Sequence, residues 1–137
     1  VDWTLEVVVV PVSDLDKAKE FYAERMGFGV DFDVTPGPGN RIVQLTPPGS
    51  GCSIVIGTAV GTMEPGTLSG VQLVVRDVRA AREELLGRGV EVGEVQVAGP
   101  DGFRPATEDD DLNNQGFLFL QDPDGNRWTV QQITDRR

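Results

Sequence analysis

Few side chains in this sequence are equipped for chemistry, and the missing types decide much of what it can do. The 137 residues contain no histidine and a single cysteine, Cys52. Ser13 and Ser53 have no imidazole to activate them, so a Ser-His nucleophile is excluded. One cysteine rules out an intrachain disulfide or a CxxC site, and in its apolar strand Cys52 reads as a small buried hydrophobe. The carboxylates left as general bases are Glu6, Asp31 and Asp33, and the last two alternate with apolar residues, as on a solvent face. The run Glu108-Asp109-Asp110-Asp111 sits in a polar loop, where acid runs are as a rule solvated; the alternative is a lid that attracts a cation. Nearby, Phe103 and Arg104 offer an aromatic ring and a positive charge. No catalytic residue stands out.

The elements that must position these groups come in two copies. Val12-Ser13-Asp14 opens a helical run to Met26, and Val75-Arg76-Asp77 opens another to Arg88. At the same offset of 63 residues, Ala18 matches Ala81, Glu20 matches Glu83, and Lys19 faces Arg82. An internal repeat of this kind governs how the rest of the chain is read. Module one spans about 3–57: a valine-rich strand Leu5–Val12 ending at Pro11, a helix capped by Ser13 or Asp14, and strands near 28–34, 41–46 and 52–57. Gly, Thr and Ser in 58–69 read as a linker. Module two, about 70–134, has a strand Val71–Val75, a helix with Val78, Ala81, Leu85 and Leu86 on its buried face, and a strand 92–97. The loop 98–116 follows, with one short strand hidden near 104–107, and then a hairpin around Asp122-Pro123-Asp124-Gly125-Asn126. Each module reads as βαβββ, and the class is α+β.

Composition narrows the partners. Twelve basic against twenty-two acidic residues give a net charge of −10, unsuited to nucleic acid or anionic membranes. No apolar run approaches the roughly 18–20 residues of a membrane span, and Val1-Asp2-Trp3 has no export-type start, so a cytoplasmic protein is expected.

The duplication, Val12-Ser13-Asp14 with Phe21-Tyr22 and Gly27-Phe28, and the run Asp122 to Trp128 resemble the vicinal oxygen chelate superfamily of glyoxalases, bleomycin-resistance proteins and extradiol dioxygenases. The resemblance covers nearly the whole chain as one domain, 1–137. It implies eight strands in a cup-shaped mixed β-sheet, and in metal-dependent members four inward ligands, usually His and Glu. Carried over, those places are Val7, Gln44, Val71 and Thr129. Two valines, one amide and one hydroxyl cannot repay the dehydration of a transition-metal ion, so neither metal nor cofactor is expected. Strand alternation adds Val9, Thr46, Leu73 and Gln131 to the same wall, together with Pro11, Ile42, Val75 and Arg127, and turns Glu6, Asp31 and Asp33 away.

An apolar wall with a few polar groups describes a small-molecule pocket; the alternative is that the valines close the cup into core. Gln44 would either touch a ligand or bond Thr129 or Gln131. Trp128 belongs beneath a helix, and Tyr22 in the core with its hydroxyl at the rim. The expected function is metal-free binding of a cationic or aromatic drug or metabolite by a homodimer. The alternative is an enzyme of the same superfamily, a glyoxalase-like lyase, isomerase or dioxygenase, working without the usual metal site.

Overall fold

The computed structural model describes residues 1–58 and 60–135. Two compact units divide the chain: Val1–Leu68 with Asp122–Asn126, and Ser69–Gln121 with the segment from Arg127 onward. Both are mixed α+β.

In the first unit, β1 (Val7–Val9) leads into α1 (Leu15–Glu20), followed by β2 (Gly29–Gly37), β3 (Asn40–Thr46) and β4 (Ser53–Gly57). The sheet order is β1-β4-β3-β2, with β1 parallel to β4 and the other pairs antiparallel. Asp14 caps α1 by accepting from the Lys17 N–H. The helix then widens into a π-helical segment, Phe21–Arg25, whose Met26 N–H reaches back to the Phe21 carbonyl at 2.9 Å. That wider turn buries Phe21 and Tyr22, and Gly27 at φ 77° ends the run. Val10, Ala18, Phe28, Val43, Leu45, Ile54 and Ile56 complete the buried layer. The first strand is shorter than the valine run suggests. Its three residues pair with β4 alone, and the ladder is extended only by single bonds from the Val10 N–H and to the Glu6 carbonyl.

The second unit contains β5 (Val71–Val75), α2 (Val78–Gly87), β6 (Gln96–Gly99), β7 (Gly102–Pro105), β8 (Gly116–Gln121) and β9 (Arg127–Gln132), in the order β5-β9-β8-β6-β7. Asp77 caps α2 through the Ala80 N–H, as Asp14 does in the first unit. The expected short strand is β7, and it makes a fifth member of this sheet, so the described residues form nine strands rather than eight. Val92 contributes one isolated bridge, to Leu120, so the strand proper begins four residues later than expected. On α2, Val78 and Leu85 are buried but Leu86 is 42% exposed, since a helix of ten residues turns only one narrow stripe to the sheet.

Candidate functional site

Residues directly opposite each other in a ladder share a face, so the registers fix which side chains stand together. In the first sheet Val8, Ile54 and Leu45 lie in one row on the α1 side, where Ile54 and Leu45 are buried. The opposite face carries Val7, Ser53 and Thr46 in one row, and Val9, Val55, Gln44 and Phe32 in the next. Val7, Val9, Gln44 and Thr46 thus come together on one face, as strand alternation requires. Ser53 and Val55 between them are buried, while Phe32 is 40% exposed. Next to Val9, a hollow of about 200 Å³ opens against Gly57, Val60 and Met63 of the linker.

Asp31 corrects the sequence reading. The pairing steps from Val30↔Leu45 to Phe32↔Gln44, leaving Asp31 as an extra residue, a β-bulge. The bulge turns Asp31 onto the Gln44 face, where simple alternation turns it away. Thr46 Oγ1 and Gln44 Nε2 both donate to Asp31 Oδ2, the latter at 3.2 Å. Thr46 spends its one proton there, so the 2.6 Å contact between Thr46 and Ser53 is donated by Ser53. Gln44 therefore has a local partner and does not depend on Thr129 or Gln131. Asp33, two residues on, lies opposite Val43 on the α1 side as expected. Arg41 holds it with two bonds of 2.9 and 2.8 Å and Lys19 with one of 2.8 Å. Those guanidinium and ammonium bonds keep its carboxyl far below the usual carboxylate range.

The second sheet brings about a further correction. Val71 lies opposite Trp128, Leu73 opposite Val130 and Val75 opposite Gln132, so these three face α2. Thr129 and Gln131 stand on the other face, opposite Gln72 and Val74, and Gln72 Nε2 donates to Gln131 Oε1. The expected grouping of Val71 and Leu73 with Thr129 and Gln131 fails by one residue: at the repeat offset Val71 matches Val8, not Val7. A slip of one position exchanges the two faces of a strand.

The register also brings out what the sequence reading passed over. Phe117 and Phe119 lie on the Thr129 face, and Phe103 from β7 joins them with ring centroids 5.3 and 5.1 Å away. Phe103 is 54% and Phe119 42% exposed. A hollow of about 250 Å³ runs from Phe119 to Arg127 and Thr129. The signal was present in the alternation Phe117-Leu118-Phe119, which puts two rings on one side of a strand.

The turn Asp122–Asn126 is structural. Asp122 is buried and accepts from the Tyr22 hydroxyl at 2.7 Å, from the Asp124 and Asn126 N–H groups, and from Asn126 Nδ2. Asn126 also donates to the Pro11 carbonyl and accepts from the Leu68 N–H. The Tyr22 hydroxyl thus ends in the core and not at a rim. Trp128 is buried beside Leu118 and Val130, as expected. In the acidic run, Asp110 is bound by both Arg104 nitrogens at 2.9 and 2.7 Å and by the Thr107 N–H, which holds its carboxyl well below its usual range. Asp110 is therefore a committed loop staple, not a free charge.

Neither face offers a metal its ligands. Val7 and Val71 have no lone pair, and Val71 faces α2. Among the described residues no three of His, Cys, Asp and Glu converge. The residues present do not fit the transition-metal centre known in this fold.

The profile of the Glyoxalase/Bleomycin resistance protein/Dioxygenase superfamily matches residues 4–130. The chain belongs to this superfamily. Within the superfamily, it is 35% identical to TnmS3, an antibiotic binding protein from Streptomyces sp. CB03234, over 96% of this chain and 97% of that one, with a TM-score of 0.73. A glyoxalase/bleomycin resistance protein from the same Streptomyces is 36% identical over 94% and 100%, TM-score 0.70. A superfamily member from Sphaerobacter thermophilus DSM 20745 is 28% identical over 96% and 98%, TM-score 0.72. A search of the curated proteins gives no match. No helix among the described residues is long and apolar enough to cross a membrane.

Proposed function

We propose that this superfamily member binds a small organic molecule, aromatic or cationic, without a metal and without transforming it, and that it works as a homodimer. The observation that carries the reading is the pair of exposed rings Phe103 and Phe119, with half-buried Phe117 against them, beside Thr129 and Gln131. Exposed rings next to a few placed polar groups are the makings of an organic-ligand surface, because water solvates them poorly and a flat ligand stacks on them. The likeness to an antibiotic binding protein supports the same reading. Each hollow beside the two faces is smaller than the roughly 300–1,000 Å³ of a drug-sized site, so each by itself suits a small ligand. A second copy would also cover β1 and β5, each the outer strand of its sheet.

The rival reading, a metal-free enzyme, draws support from Asp31. With Thr46 and Ser53 behind it, this carboxylate has the hydroxyl relay that a general base would use. Native mass spectrometry of freshly purified protein, followed by calorimetry against flat aromatic compounds with product analysis of the same mixtures, separates the two. Binding with unchanged ligand is expected. Turnover that persists in EDTA would replace the binding reading by the enzyme.

A further inference from the structure

We propose that Asp31 is the counter-ion for a cationic nitrogen on the ligand, an ammonium or an amidinium, so that the ligand class is an organic cation with an apolar body. The inference rests on the small-molecule reading above and concerns the β2–β3 face of the first unit alone.

Asp31 reaches its face only because β2 is bulged there, and a bulge sets the extra residue and its successor on the same side. The successor is Phe32, 40% exposed, and Val34 farther along β2 is 45% exposed. The carboxylate is aimed as well as exposed. Thr46 and Gln44 both donate to Oδ2, and Ser53 donates in turn to Thr46. Oδ1 accepts no hydrogen bond from the described residues. The nearby cations are already engaged: Arg41 on β3 binds Asp33 and Asp16, and Lys19 of α1 binds Asp33. The result, among the described residues, is an oriented anion with a free oxygen, no cation bonded to it, and apolar side chains alongside. An organic cation complements all three features: nitrogen on Oδ1, hydrocarbon over Phe32 and Val34. A metal ion does not, since among the described residues no three His, Cys, Asp or Glu side chains come together to hold one. A neutral hydrogen-bond donor would leave the charge unmatched.

The test uses a matched pair of probes, naphthylmethylammonium and its neutral counterpart naphthylmethanol, titrated calorimetrically at low and high salt. Wild-type protein should prefer the ammonium by about three- to tenfold, and the preference should shrink with salt. Asp31→Asn should abolish the preference and leave naphthylmethanol affinity within about twofold. Asp109→Asn, which removes an exposed charge of the acidic loop, should keep it. Thr46→Val removes the donor that aims the carboxylate and should weaken the ammonium alone. A preference that survives Asp31→Asn, or equal affinity of wild-type protein for both probes, overturns the counter-ion and leaves small-molecule binding standing. If neither probe binds, the binding reading falls with it.

Discussion

At the scale of single residues, the side chains that carry the family likeness are not those proposed to meet a ligand. Tyr22 and Asp122 form a buried pair at 2.7 Å, and Asn126 is fully buried against them. Tyr22→Phe deletes a hydrogen bond to a charged acceptor and should lower stability by about 1.5–3 kcal/mol, read as a shift in the urea midpoint at constant slope. A shift of a few tenths would mean that the pair is solvated. Gln44 makes the opposite kind of prediction. Gln44→Leu removes one of the two donors to Asp31 but adds apolar contact with Val55 and Val9. A ligand that uses the amide should lose about 1–3 kcal/mol of affinity in calorimetric titration, while stability stays level or rises. Destabilisation without loss of binding would place the amide in the framework instead.

At the scale of elements, the decisive features are one bulge and one ion cluster. Asp33 of β2, Arg41 of β3 and Lys19 and Asp16 of α1 tie helix to sheet. The Asp33 carboxyl is depressed from 3.8, chiefly by its hydrogen bonds to Arg41 and then Lys19. A depressed acid contributes its stabilisation fully above its unfolded pKa and loses it as pH falls through the folded one. The melting-temperature gap between wild type and Asp33→Asn should therefore be constant near neutrality and narrow below about pH 4. A gap unchanged down to pH 2 would show that Asp33 acts by shape rather than charge. The Asp77 cap, the limits of β5 and a cap at Ser13 or Asp14, which the structure gives to Asp14, were legible in the sequence because capping and turn chemistry are local. The bulge was not, because register is a property of two strands and Asp31 is set by where Gln44 and Leu45 fall. Val71 shows the same limit: its type and strand were readable, its face was not, and a slip of one position decided it. Phe103 was visible only as an aromatic ring near the acidic run, since its meeting with Phe117 and Phe119 depends on the β6–β7 hairpin.

At the scale of the whole molecule, the donor set and the sheet edges lead to two measurements. Elemental analysis should find far less than one Zn, Fe, Ni or Mn per chain, and EDTA should leave the melting temperature unmoved; a stoichiometric metal would sink the metal-free proposal. Sedimentation at tens of micromolar should give twice the chain mass, because β1 and β5 each present an unpaired outer side that a second copy would cover. A monomer would count against the homodimer.

The turn Asp122–Asn126 has a further consequence, for the order in which the chain becomes a protein. Ser13 bonds Asp124 across 111 residues, Tyr22 bonds Asp122 across 100, and Asn126 bonds Pro11 across 115. On a ribosome the first unit can form its helix and hairpins early, yet its buried Tyr22 hydroxyl and Pro11 carbonyl wait for a segment made 100 and 115 residues later. Domains commonly fold in the order they emerge. Here β1 and α1 are completed by a turn far downstream, so a nascent chain stalled before Asp122 should remain open to protease even with β1 to β4 fully synthesised, and become resistant only once Asn126 has cleared the exit tunnel.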